Sequence, residues 1–153
     1  VDCCLDQIVN DDFVGVQMYT RHTYGPDGII KPKTDDPNML VMGYEYYPES
    51  LENVVRYVSS KIKTPIMITE NGIGTDDDNQ RIEYLTTALQ GLQNCLDDGI
   101  DIRGYFCWSL LDNFEWLFGY KPRFGLVEVN RETLDRTAKK SFKFFKDVID
   151  QSS

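Results

Sequence analysis

The run Thr64-Pro65-Ile66-Met67-Ile68-Thr69-Glu70-Asn71-Gly72 opens on a helix-ending Thr-Pro, passes through four residues of buried-strand character and stops at an Asn-Gly turn. Periodic segments flank it. Upstream, Pro48 suits a first helical position, and Leu51, Val54, Val55, Val58 and Ile62 recur at helical spacing. Downstream, Ile82, Leu85, Leu89, Leu92 and Leu96 form a stripe, with Gly99 as its C-cap. Residues 102–109, Ile-Arg-Gly-Tyr-Phe-Cys-Trp-Ser, read as the next strand, and residues 12–20 as an earlier one that runs toward the turn cluster Tyr24-Gly25-Pro26-Asp27-Gly28. A final helix over about 136–149 is expected to bury Ala138, Phe142, Phe145 and Ile149, and residues 124–129 suit a short extra strand. Strands alternating with helices imply right-handed crossovers and a parallel sheet, an α/β fold. Two stretches, from the turn cluster at Gly28 to about Pro48 and from about 110 to 121, show no periodicity, and loops that long are often functional.

The composition bounds the function. The chain has 153 residues, enough for a single domain, and at 41% hydrophobic and 12% aromatic it carries more core material than a disordered tail. A net charge of −9 argues against nucleic acid or an anionic membrane as partner. No apolar run reaches the length of a membrane span and no leader-like segment opens the chain, so the expected setting is cytoplasmic. Cys3, Cys4, Cys95 and Cys107 show no metal-ligand spacing, which fits a reducing compartment. His22, the only histidine, reads as a surface or packing residue. Asp76-Asp77-Asp78-Asn79 lacks the spacing of a calcium loop and reads as a solvated turn capping the next helix. Gly72-Ile73-Gly74 lacks the other positions of a phosphate loop. Lys139, Lys140, Lys143 and Lys146 read as the solvated face of the last helix.

In open α/β sheets and barrels, chemistry sits at the carboxyl edge of the strands, which directs attention to Tyr19, Glu70 and Trp108. On the residues alone, Glu70 has two readings: a strand-end carboxylate meeting an Arg or a helix N-terminus, or an acid aimed at a ligand. The segment Trp108-Ser109-Leu110-Leu111-Asp112-Asn113-Phe114-Glu115-Trp116 likewise suits either core packing or a sugar site, with flat rings for C–H faces and a carboxylate for paired hydroxyls.

Ile68-Thr69-Glu70-Asn71-Gly72, the Trp108–Trp116 segment, and Arg123-Phe124-Gly125-Leu126-Val127 occur in an order that resembles glycoside hydrolase family 1, the retaining β-glucosidases and their relatives. The resemblance extends to Arg136-Thr137-Ala138-Lys139-Lys140-Ser141-Phe142. It implies that residues 1–153 form the C-terminal portion of a (β/α)8 barrel, about strands six to eight with their helices. It implies a β-linked sugar as substrate and no cofactor. Glu70 matches the nucleophile that forms the covalent glycosyl-enzyme, and Tyr19 the tyrosine that hydrogen-bonds it. Trp108 matches the platform under the sugar ring, Glu115 the acid that takes two hydroxyls, Trp116 the indole beside it and Phe124 an aromatic wall. Gln17 stands where the family usually has Asn.

A larger departure is an absence. The family's acid/base lies in an Asn-Glu-Pro motif, and no Asn-Glu dipeptide occurs in this sequence. Retaining hydrolysis needs a second carboxyl roughly 5 Å from the nucleophile. Three strands of a barrel also leave raw edges. The expectation is therefore a chain inactive by itself, which self-associates or pairs with a complementary N-terminal barrel chain. The alternative is a non-catalytic sugar-binding or structural barrel fragment.

Overall fold

The computed structural model describes residues 2–30 and 36–151; Pro32, within the long irregular stretch, lies outside the described residues. In chain order the elements are α1 (Asp2–Leu5), β1 (Val14–Met18), β2 (Thr23–Gly25), β3 (Gly28–Ile30), α2 (Ser50–Lys61), β4 (Ile66–Asn71), α3 (Asp78–Asp97), β5 (Ile102–Cys107), β6 (Val127–Val129), β7 (Arg136–Ala138) and α4 (Lys140–Gln151). The main sheet has the order β1-β4-β5, parallel throughout. Because all three strands run the same way, Tyr19, Glu70 and Trp108 emerge at one edge.

Strand β4 is central, with Ile66 and Ile68 fully buried. Helix α2 turns Leu51, Val55 and Val58 onto it, and α3 adds Tyr84, Leu85, Ala88 and Leu92. The two helices come close at Gly91, where an added Cβ would lie 2.8 Å from the Cβ of Glu52.

The sequence expectations hold for the three main strands and for α2 and α3, with informative shifts. Helix α2 starts at Ser50, two residues after Pro48. In α3 the buried face is Arg81, Tyr84, Leu85, Ala88, Gly91, Leu92 and Cys95, so the stripe is rotated from the Ile82–Leu96 line. Leu96 is 44% exposed and, with Leu89, Ile102 and Phe145, lines an apolar groove between α3, β5 and α4. Asp77 caps α3 by accepting from the Asn79 amide at 2.9 Å, as the acidic turn suggested. Gly99 follows the α3 C-cap with φ 82°.

The last helix departs more. It begins at Lys140, because residues 136–138 pair antiparallel with 127–129 as a small hairpin. Ala138 is therefore an exposed strand residue, and Ile149 is half exposed. Phe142 and Phe145 do pack against the core. Lys139 does not belong to a solvated face. Its Nζ donates to Asp112 Oδ1 at 3.0 Å and to the Gly125 carbonyl at 2.7 Å, tying the hairpin to the loop after β5. Burial lowers its pKa, partly offset by the Asp112 carboxylate.

Candidate active site

The site starts from the end of β4. Asn71 is fully buried and saturated: its amide donates to the Met18 carbonyl at 2.6 Å and to the Tyr84 hydroxyl at 2.9 Å, and its oxygen accepts from Tyr105 at 2.9 Å. These bonds lock the ends of β1, β4 and β5 together through α3, directly behind Glu70. A buried amide that lost such partners would cost about 1–3 kcal/mol each. The Trp108 amide donates to the Asn71 carbonyl at 2.8 Å. Gly72 permits that approach, since a Cβ there would sit 1.8 Å from the Trp108 oxygen. The Trp108–Ser109 peptide bond is cis.

Past Trp108, the chain folds back on residues 124–127. Leu126 donates to the Ser109 carbonyl, and Asp112 accepts from the Gly125 amide at 2.8 Å. A Cβ at Gly125 would lie 2.2 Å from the Asp112 nitrogen, so this crossing also needs glycine. The result places Phe124, 3% exposed, beside the sheet edge.

These supports define a cavity of about 220 Å³ lined by Tyr19, Met42, Tyr44, Glu70, Trp108, Glu115, Trp116 and Phe124. Six of the seven residues named from the sequence are in it. Gln17 is not: it pairs with Glu70 across the β1–β4 ladder, after a register shift between Val16 and Gln17, and is exposed. Met42 and Tyr44 come from the irregular stretch before α2, where no periodicity marked them.

Within the cavity the Tyr19 hydroxyl donates to Glu70 Oε2 at 2.6 Å. Burial raises the Tyr19 pKa, and the hydrogen bond to Glu70 and the charges of Glu70 and Glu115 raise it further. The phenol is thus held as a donor, and Glu70 is its acceptor. Phe124 meets the Tyr19 ring edge-on at 6.0 Å, and Tyr44 lies 6.3 Å from it at a tilt. Trp108 Nε1 donates to Glu115 Oε1 at 3.4 Å, joining the indole to the second carboxylate. Trp116 is 91% exposed at the mouth.

Among the described residues, the lining contains two carboxylates, five aromatic side chains and no basic side chain. Such a site suits a neutral polyhydroxyl ligand and any positive charge that develops on it, and repels anions. Among the described residues, no cluster of His, Cys, Asp or Glu could hold a metal ion.

The sequence profile described as Glycosyl hydrolase family 1 matches residues 10–153. A bifunctional β-D-glucosidase/β-D-fucosidase of Bifidobacterium breve is 41% identical over 122 residues, which cover 71% of this chain and 26% of that protein. β-Glucosidase A of Thermotoga maritima is 35% identical over 152 residues, covering 90% of this chain and 34% of its own length. Among solved structures, a β-glycosidase designated BGL167 superimposes with a TM-score of 0.91 at 46% identity, over 99% of this chain and 36% of that one. The family 1 β-glucosidase from Thermotoga maritima gives 0.82 at 34% identity, over 91% and 34%. The chain thus spans about a third of the solved relatives, which are (β/α)8 barrels, and is a partial piece of that architecture. A matched profile over nearly its whole length, joined to this superposition, means that the chain belongs to glycosyl hydrolase family 1.

Proposed function

We propose that this chain supplies strands six to eight of a retaining β-glycosidase barrel, and that Glu70 is the nucleophile. The observation that carries the reading is the 2.6 Å bond from the Tyr19 hydroxyl to Glu70, inside a cavity walled by Trp108, Trp116 and Phe124 that no cation lines among the described residues. Glu70 attacks the anomeric carbon of a terminal β-D-glycoside, and the C–O bond to the aglycone breaks. Tyr19 steadies the carboxylate and leaves its other oxygen to attack. Trp108 supports the sugar ring, and Glu115 accepts sugar hydroxyls at the point fixed by the Trp108 indole. The leaving oxygen takes its proton from an acid in the remaining part of the barrel. The same acid then activates the water that frees the sugar.

The surfaces of the fragment support this reading. Among the described residues, β1 and β5 each have one edge unpaired in the main sheet. Beside β5 lies a second groove of about 470 Å³, lined by Phe106, Cys107, Leu110, Leu126 and Phe142. Phe106 and Leu110 are each 57% exposed. Open edges next to exposed apolar side chains invite pairing with further strands. The rest of the barrel is the occupant that satisfies both.

The test joins this chain to the N-terminal part of the β-glycosidase that superimposes at 0.91, replacing the matching third. That barrel should hydrolyse p-nitrophenyl β-D-glucoside. The 153-residue chain alone should show no turnover and should run above 17.7 kDa in native mass spectrometry as a self-associated species. A soluble monomer that hydrolyses the substrate unaided, or a folded hybrid barrel with no turnover, would contradict the proposal.

A further inference from the structure

The irregular stretch that supplies Met42 and Tyr44 is tied at Glu45 to the residues that follow β1. Arg21 Nε and Nη2 donate to the two oxygens of Glu45 at 2.9 and 2.8 Å, a fork-to-fork pair. The Thr20 hydroxyl donates to the Glu45 carbonyl at 3.1 Å. The Arg21 guanidinium lies 4.0 Å from the centre of the Tyr47 ring, and Tyr47 accepts from Asn53 of α2 at 2.8 Å. Local bonds shape the rest: Leu40 donates to the Tyr44 carbonyl at 2.7 Å, and Gly43 turns the chain at φ 73°.

The spacing along the chain gives this pair its meaning. Thr20 and Arg21 directly follow Tyr19, and Glu45 directly follows Tyr44. The two tyrosines are the ones whose rings meet in the cavity at 6.3 Å. An ion pair with side chains 49% and 32% exposed contributes little to stability, because water and salt screen it. What it can do, beside the Thr20 bond to the same residue, is set the register of the two segments whose tyrosines meet in the site.

We propose that the Arg21–Glu45 pair is a positioning device for the active site, seating Tyr44 against Tyr19 and so holding the Tyr19 hydroxyl on Glu70. The proposal rests on the glycosidase reading above. Neither Arg21 nor Glu45 lines the cavity, and both act through the tyrosine beside them.

A double-mutant cycle in the completed barrel tests it. Arg21→Met and Glu45→Gln should each lower kcat/KM by about tenfold, the scale expected when a reacting group drifts by a fraction of an ångström. The double variant should be no worse than either single one, since both remove the same contact. Arg21→Lys should recover part of the loss, and the unfolding midpoint should stay unchanged in all four. Additive losses, unaltered kcat/KM, or a loss that follows a drop in the midpoint would overturn the proposal. Glu70→Gln in the same barrel separates the two readings. If it abolishes turnover while Arg21→Met and Glu45→Gln match wild type, the positioning role alone falls. If Glu70→Gln remains active, the catalytic assignment falls and takes the positioning role with it.

Discussion

Glu70→Gln in the completed barrel is expected to lower turnover of p-nitrophenyl β-D-glucoside by roughly 10⁴-fold or more, the scale seen when a covalent nucleophile is removed. The substitution keeps the size of the side chain and an oxygen for Tyr19, so the packing around it should survive. Its amide is a poor nucleophile and brings no negative charge to a developing oxocarbenium ion. A purely structural Glu70 would give a different pattern: an altered unfolding midpoint and a modest kinetic change. Glu70→Ala separates these further. The space left by the carboxylate can admit a small anion such as azide, which would attack from the same face and give an α-linked product. Restored release of p-nitrophenol with that stereochemistry is the expected result. Wild-type turnover by Glu70→Gln would remove the nucleophile from the account.

The largest expected effect on stability lies beneath the site, at Arg81. It is 2% exposed and joins three segments. Its Nη2 donates to the Thr75 carbonyl at 2.6 Å and to the Arg123 carbonyl at 2.7 Å, while Nη1 pairs with Asp78. Asp78 in turn accepts from the Ser141 amide at 2.9 Å and hydroxyl at 2.6 Å, anchoring α4 to the start of α3. Arg81→Met keeps most of the stem but leaves Asp78 without its cation and two loop carbonyls without donors. Leaving each of these partly buried acceptors without its donor costs about 1–3 kcal/mol. Denaturant unfolding of the completed barrel should show that loss, and a change below about 1 kcal/mol would contradict the role. The network also carries a pH dependence. Burial opposes ionisation of Asp78, yet the bonds from Ser141 and Arg81 win and hold its carboxyl below the ordinary value. A depressed folded-state pKa contributes stability above the unfolded value. That stability is lost as pH falls below about 4, the ordinary Asp range. In Arg81→Met this acid-sensitive part should shrink.

The scaffold was legible where periodicity and punctuation agree. Thr64-Pro65 and Asn71-Gly72 bracket β4, and the apolar spacing from Leu51 to Ile62 marks α2. The start of the last helix is hidden in the sequence because Arg136-Thr137-Ala138 carries no turn signal, and its pairing partner is nine residues upstream. The role of Lys139 is hidden with it. A lysine in a basic run looks solvated until Asp112 and Gly125, distant in sequence, fold onto it. Arg81 was invisible for a similar reason, since a charged residue one position from an apolar stripe looks like its polar border. Within the site, Tyr19, Glu70 and Trp108 could be placed because parallel strands deliver their ends to one edge. Glu115 and Trp116 stand in a segment that suits either core packing or a sugar site, Phe124 follows from a family resemblance, and the geometry brings the three together. Met42 and Tyr44 had no signal of either kind. They reach the cavity from an irregular segment whose path depends on Gly43 and on the Arg21–Glu45 pair.

The proposed covalent bond between the sugar and Glu70 is tested directly by a 2-deoxy-2-fluoro-β-glucoside with a good leaving group. Fluorine at the 2-position destabilises positive charge at the anomeric carbon, so release by water slows and the glycosyl-enzyme accumulates. Mass spectrometry of the inactivated barrel should show one added 2-fluoroglucosyl group, and peptide sequencing should place it on Glu70 within Ile66–Gly72. A label on another carboxylate, or steady turnover of the natural glycoside with no labelling at all, would contradict the account.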